Sequence, residues 1–254
     1  MILEAITQQK HPGWASSASV CKEWQFFIEK RNFHQLRLQV SCLDGFERLI
    51  IRQRELVQHI WLDIELQKYT CRRCQETESE SWTRRNNSMI RNGVWKLFRI
   101  LSTWKPGNGL ALELHAHSPS DSDHWFKNHY FASDDEGNED ETSIHETDRN
   151  WHDPRHGWIH GQQVTAPPPS AILALFESID LRFQEELPQV DRVTCLIIRR
   201  QLRRWIDPNS LLLILDKLSC LEQLTYEPWR QWRSGWRVLN DKRKCQYHFD
   251  IFGY

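Results

Sequence analysis

Cys71 and Cys74 form the only Cys-x-x-Cys pair in the sequence, and two thiolates at this spacing can bind zinc or exchange electrons. A structural zinc site needs four ligands, which usually include a second close pair at a fixed spacing. His59 and His115 are the histidines nearest in sequence, and neither belongs to a His-x3-5-His pair. The pair encloses two arginines and precedes a polar segment, unlike a redox motif that opens a helix. We therefore predict a plain loop here, with a metal or redox site as the third hypothesis for this protein.

A second set of candidate ligands consists of His152, His156 and His160, which follow one another at intervals of four. On a helix, histidines four residues apart could share a metal ion. Pro154 and Gly157 lie between them and disfavour a helix, so we predict a polar loop. The sequence also lacks a Gly-x-Ser-x-Gly elbow and a glycine-rich phosphate loop. We therefore expect no catalytic residue, no bound metal and no cofactor, and the predicted protein is not an enzyme.

The C-terminal part carries the basic residues that could bind nucleic acid. One group is the RRQLRR segment at 199–204, and basic and tryptophan residues interleave in the rest: Trp205, Trp229, Arg230, Trp232, Arg233, Trp236, Arg237, Lys242, Arg243 and Lys244. Lysine and arginine bind phosphate and aromatic rings stack on bases. We favour a solvated face whose tryptophans close the end of the core, and we keep nucleic-acid binding as the alternative function.

Charge is distributed unevenly along the chain. The net charge is −1, but residues 133–148 contain eight acidic side chains and no lysine or arginine. Without those eight, 33 basic residues remain against 26 acidic ones, so the rest of the chain is mildly basic.

The seven cysteines are scattered and odd in number, and the N-terminal MILEAITQQK does not resemble a signal peptide. No apolar run reaches the ~20 residues of a membrane span. We expect an intracellular protein, cytoplasmic or nuclear or both, with no membrane contact.

Hydrophobic periodicity predicts an α/β fold. Alternating apolar residues predict strands, and apolar residues at intervals of three and four predict helices. The predicted strands are 36–40, 59–66, 110–116, 193–199 and 221–227, and the predicted helical stretches are 43–50, 88–104, 172–176 and 211–218. The second strand begins about 25 residues after the first, and the third begins about 50 residues after the second. These intervals correspond to one and two repeats of about 25 residues, which is the length range of a leucine-rich repeat. We predict an irregular, leucine-rich-repeat-like parallel array over 35–254, with helices on one side.

One segment interrupts this array. Residues from about 118 to 169 hold the acidic block, the histidine-containing stretch and Pro167-Pro168-Pro169. Low hydrophobicity and charge of a single sign cannot offset the entropy lost on ordering. We predict a disordered acidic insert at about 118–169.

The N-terminal 34 residues form a separate pattern. One apolar stripe runs through Trp14, Ala18, Cys21, Trp24 and Ile28 at steps of three and four. A reactive thiol needs a neighbouring cation or a helix N-terminus that lowers its pKa. Cys21 in the middle of this helix has neither, so we predict a buried, inert thiol.

This segment resembles the F-box, a three-helix module that docks onto the Skp-type adaptor of a cullin–RING ubiquitin ligase. The family pattern has a Val-Cys-x-x-Trp helix, a second short helix and a leucine-rich strand that leads into the substrate domain. Val20, Cys21 and Trp24 match that helix, Ile28 continues it, and 36–38 (LRL) matches the exit. The ILEAI stretch precedes them in the expected order. The whole chain is similar to the F-box-like proteins of filamentous fungi, in which an irregular leucine-rich-repeat region follows.

The resemblance implies a short helical module at 1–34 and a non-catalytic subunit that recruits a target protein to the ligase. In the family, Leu-Pro and an acidic-aliphatic pair open the first helix. This chain begins at Met1 just inside that helix, so we expect a truncated module that binds its adaptor weakly, or a chain that starts late. The expected adaptor contacts are Leu3, Ile6, Val20 and Trp24, and the expected core of the module is Trp14, Cys21 and Ile28. The repeats would bind a target whose identity the sequence leaves open.

Overall fold

The computed structural model describes residues 18–126 and 153–227, and this part of the chain alternates helices with strands. In chain order the elements are α1 (Lys22–His34), β1 (Gln35–Gln39), α2 (Leu43–Leu49), β2 (His59–Glu65), α3 (Glu80–Leu101), β3 (Leu110–His117), α4 (Ser120–His124), β4 (Trp158–Ile159), β5 (Gln162–Gln163), α5 (Pro169–Leu175), β6 (Ser178–Ile179), β7 (Val193–Ile198), β8 (Trp205–Ile206), α6 (Pro208–Leu215) and β9 (Gln223–Tyr226). Short 3₁₀ turns connect several of them. All five predicted strands are present, and each predicted helical stretch lies largely within an observed helix.

A five-stranded sheet in the order β1-β2-β3-β7-β9 organises the described chain. Every neighbouring pair in it is parallel. Each strand therefore pairs with the next sheet strand along the chain, and the return connection runs through helices and loops. The predicted α/β class with a parallel sheet is confirmed.

The register of the strands aligns apolar residues in rows across the sheet. Leu36 is paired with Ile60, Ile60 with Leu112, Leu112 with Leu196 and Leu196 with Leu224. These rows belong to one core with residues from α2, α3 and α6: Leu43, Phe46, Ile90, Val94, Leu97, Phe98, Leu101 and Ile214. Because side chains alternate between the two faces of a strand, the intervening positions lie on the other face of the sheet.

Helix α3 lies close to the sheet at Gly93. A Cβ atom at this position would lie 2.8 Å from Cγ2 of Val40 and 3.3 Å from Cδ1 of Ile64. Both distances are shorter than an ordinary van der Waals contact, so a side chain would push the helix outwards. Close packing against the sheet therefore accounts for a glycine in the interior of α3, although glycine favours a helix less than other residues do.

Helix α1 differs in one respect from the predicted amphipathic helix. It begins at Lys22, and Cys21 is its N-cap residue in an extended conformation. Cys21 is exposed, so the prediction of a buried thiol in the middle of the helix is wrong. The helix continues unbroken to His34, where a second short helix was expected, and Ile28 is buried as predicted. Gln58 donates its backbone N–H to the His34 carbonyl, so the end of α1 is held at the start of β2.

The boundaries predicted for the acidic insert are too wide. Residues 118–126 contain α4, and 153–169 contain the β4–β5 hairpin and lead into α5. Their backbones also contact each other, since His156 donates its N–H to the His124 carbonyl at 2.9 Å. The acidic block 133–148 lies outside the described residues, as do Leu3, Ile6 and Trp14.

The hydrophobic core provides a matched test of the fold. Leu62 in β2 is fully buried, whereas Leu49 at the end of α2 is 78% exposed. We expect Leu62→Ala to lower the free energy of unfolding by about 2–5 kcal/mol, because it removes core contacts and leaves a cavity. Leu49→Ala should change it by less than about 0.5 kcal/mol. Urea unfolding of both variants measures the difference, and equal effects would contradict the strand register.

Candidate functional site

The sheet face opposite the core is polar and carries a network of charges. Arg37, Trp61 and Glu113 are register partners in β1, β2 and β3, and the adjacent row contains Asp63 and His115. Asp63 and Glu113 are nearly inaccessible to solvent. A buried charge is tolerated when it is paired, so the partners of these two carboxylates determine the character of the face.

Asp63 is paired on two sides. Arg37 donates to Oδ2 of Asp63 from Nη2 at 2.7 Å and from Nε at 3.2 Å. Nδ1 of His117 lies 3.0 Å from Oδ1 of the same carboxylate. Burial alone would raise the pKa of Asp63, but hydrogen bonds from His117 and Arg37 outweigh it and lower the pKa to about 2. The guanidinium also lies over the Trp61 ring, 4.6 Å from its centroid, so cation and ring are held together.

His115 lies between two aromatic rings on this face. Its ring stacks on His117 with the centroids 5.2 Å apart and meets Trp61 edge-on at 5.9 Å. Burial lowers the pKa of His115 to about 4, against the opposing attraction of Asp63. The imidazole is therefore neutral at physiological pH, which allows it to lie beside His117 without repulsion.

Glu113 has partners of its own from neighbouring strands. Its carboxylate lies 3.2 Å from Nε2 of His59 and 3.3 Å from Nε of Arg199. In the same basic segment, Arg204 forms a buried ion pair with Glu78. Arg199 and Arg204 of the 199–204 stretch are thus bound to carboxylates inside the protein and offer less charge to a phosphate backbone. The basic and tryptophan residues from position 229 onwards lie outside the described residues, whereas Trp205 lies in β8.

The beginning of α1 exposes two large apolar side chains among charged and polar ones, Lys22, Glu23 and Gln25. Val20 is 64% exposed and Phe26 is 60% exposed, while Trp24 is half-buried. Ile28, one turn after Trp24, is 2% exposed. Of the predicted adaptor contacts in the described chain, Val20 and Trp24 are therefore accessible, and of the predicted module core, Ile28 is buried.

A third cluster contains Cys71, Cys74, His124 and His156, whose ligand-capable atoms all lie within 4.8 Å of one another. Cys71 and Cys74 do lie in a turn, as predicted. The two additional ligands are His124 and His156, which stand 53 and 85 positions after Cys71. In the sequence His156 groups with His152 and His160, and its proximity to the cysteines exists in three dimensions alone.

The two clusters of potential ligands differ in chemistry. Asp63, His115 and His117 also lie within 4.8 Å of one another, but Arg37 already neutralises that carboxylate and would repel a cation. The cysteine–histidine cluster combines two sulfurs with two imidazoles. Burial raises the pKa of the Cys74 thiol, and the neighbouring Cys71 raises it further. Burial also lowers the pKa of His124, so both groups favour the neutral form.

Comparison with known proteins leaves the family open. No protein-family model, no curated protein and no solved structure matches this chain. Within 18–126 and 153–227, no helix has both the length and the apolar character needed to cross a bilayer.

The pKa of His115 predicts how stability depends on pH. In the unfolded chain this imidazole takes up a proton below about pH 6.5, whereas the folded protein resists protonation until about pH 4. Stability should therefore fall as the pH falls from 6.5 to 4, by at most on the order of 3 kcal/mol from this residue. Asp63, with its pKa lowered to about 2, adds a loss at still lower pH.

Urea unfolding at a series of pH values measures this slope. His115→Asn should flatten the curve between pH 6.5 and 4, because the titrating group is gone. His34→Asn removes an exposed histidine and should leave the slope intact. A slope that persists in His115→Asn would contradict the assignment.

Proposed function

We propose that this protein is the non-catalytic substrate-recognition subunit of a cullin–RING ubiquitin ligase. In this proposal the segment 1–34 binds a Skp-type adaptor, and the sheet that follows binds the target protein. The observation that carries the proposal is the orientation of α1. Its Ile28 is buried against the rest of the protein, while Val20 and Phe26 remain exposed and Trp24 remains half-buried.

Exposed apolar side chains near the start of α1 support a docking role. Val20 precedes the helix, and Phe26 lies two residues after Trp24, on a different side of the helix. Large apolar side chains that remain exposed can serve as contacts of an interaction surface. Tryptophan is among the residues that contribute most to binding energy in interfaces. A partner that covers these side chains would remove apolar surface from water, which contributes about 25 cal/mol per Å² to binding.

The polar sheet face suits the second role, the recognition of a protein target. Arg37 and Trp61 are held in place by stacking and by the Asp63 carboxylate, so little side-chain entropy remains to be lost on binding. Arginine and tryptophan are also enriched at interface centres. Arg37 keeps nearly half of its side chain accessible, which leaves donors free for a partner.

A pair of valine variants tests adaptor binding. Val20→Glu places a charge in the centre of the proposed contact and should weaken binding of a purified Skp-type adaptor at least 10-fold, about 1.4 kcal/mol. Val164→Glu makes the same change at a comparably exposed valine, 58% accessible, beyond the β4–β5 hairpin. It should leave the affinity unchanged. Isothermal titration calorimetry measures both.

Trp24→Ala should also abolish binding, and a circular-dichroism spectrum of each variant establishes that it is folded. If the folded wild-type protein fails to bind the adaptor at micromolar concentration, the recruitment proposal is wrong. Salt-sensitive retention of that protein on RNA or DNA would then favour the alternative function in nucleic-acid binding.

A further inference from the structure

Three separate segments bring the cysteine–histidine cluster together. Cys71 and Cys74 lie in the turn after β2, His124 ends α4, and His156 precedes the β4–β5 hairpin. The side chains meet closely, with 2.8 Å between Sγ of Cys71 and Nε2 of His156. In a tetrahedral zinc site with ordinary bond lengths, ligand atoms lie about 3.3–3.8 Å from one another. The observed atoms, all within 4.8 Å, need to move by only about 1 Å to reach this geometry.

Backbone and side-chain hydrogen bonds outside the cluster position these segments. His156 and Arg155 donate their N–H groups to the carbonyls of His124 and Asp123, each at 2.9 Å. The Tyr69 hydroxyl donates to Asp121 in α4 at 2.8 Å, which fixes the cysteine turn to the same helix. The convergence is therefore built into the fold and does not depend on the cysteines and imidazoles alone.

A glycine allows His156 to reach the cluster. Gly157 follows it with a φ of 76°, and a Cβ there would lie 2.4 Å from the Thr165 carbonyl oxygen and 3.1 Å from the Trp125 ring. Only glycine fits this turn without strain. The Trp125 ring in turn packs on the His156 imidazole with the centroids 5.0 Å apart.

His124 is buried beside the other three residues of the cluster. It is 3% exposed and its ring is stacked between Tyr69 and His156, at 5.3 and 5.6 Å between centroids. Its Nδ1 atom is buried and has no hydrogen-bond partner. A buried polar atom without a partner destabilises a protein by about 1–3 kcal/mol, so such an atom usually has a role.

We propose that Cys71, Cys74, His124 and His156 bind one zinc ion in a structural site. Two thiolates with two imidazoles are a ligand set that selects zinc, and four protein ligands leave no position for a catalytic water. The ion would join the turn after β2, helix α4 and the start of the β4–β5 hairpin. Beneath it lies a small second hydrophobic core of Cys74, Trp125 and Ala171, separate from the main one. A core this small buries little apolar surface, so a metal ion that joins its segments would add stability, as it does in small domains.

Metal content is the direct test of this site. The full-length protein, purified without chelator, should contain one zinc per chain by inductively coupled plasma mass spectrometry. Cys71→Ser and His156→Asn should each reduce the bound zinc at least 10-fold. Cys42→Ser and Cys220→Ser change exposed cysteines outside the cluster and should retain the full zinc content. Circular dichroism verifies that each variant measured is folded.

Cobalt gives a readout that does not depend on variants. Adding Co²⁺ to the zinc-stripped wild-type protein should produce the visible bands of a tetrahedral site and the sulfur-to-cobalt charge-transfer band of two thiolates. Three outcomes would overturn the proposal: wild-type protein that neither contains zinc nor gives these bands, zinc fully retained in folded Cys71→Ser and His156→Asn, or a Cys71–Cys74 disulfide in protein purified under reducing conditions. None of these depends on adaptor binding, so the zinc site and the recruitment function fail separately.

Discussion

The alternation of side chains along five parallel strands is the constraint on which the rest of the fold depends. Leu62 of β2 lies in the core with its register partners Leu38 and Leu114, while the next residue, Asp63, lies on the polar face beside His115. A shift of one residue in any strand would exchange the two faces. It would place a carboxylate among leucines and expose the core, so the register determines both stability and the chemistry of the opposite face.

The polar face is stable because its buried charges are paired. Asp63 is paired with Arg37 and lies beside His117, and Glu113 is paired with Arg199 and lies beside His59. Such pairs contribute little net stability compared with apolar side chains, yet removing one partner leaves an uncompensated charge that costs about 3–5 kcal/mol. In the recruitment proposal, this arrangement holds Arg37 and Trp61 in fixed positions for a target protein.

The main elements were predictable because local periodicity reports which residues enter the core. The β2 alternation of Ile60, Leu62 and Ile64 is such a signal, and all three are buried. The start of α1 was missed, because an apolar stripe through Cys21 does not reveal whether the backbone there is helical or extended. The edges of the acidic insert were missed for another reason. Their order comes from contacts such as the His156–His124 backbone bond, which composition does not show.

The cysteine–histidine cluster was beyond sequence reasoning for the same physical reason. Recognition of a zinc site from sequence relies on ligands close together in the chain, since short turns then bring them together. Here the cysteines lie in the connection after β2 and both histidines lie in the long connection after β3, so their proximity is a property of the tertiary fold. By contrast, Val20 and Trp24 could be proposed from a local motif, because docking helices carry their contacts within a few turns.

The proposed function needs two separate surfaces, the start of α1 for an adaptor and the polar sheet face for a target. Amide hydrogen exchange of the protein, alone and saturated with a Skp-type adaptor, tests this separation most directly. Within the described chain, adaptor binding should slow exchange in residues 18–34 and leave β1, β2 and β3 unchanged. Slowed exchange across those strands, with 18–34 unaffected, would contradict it.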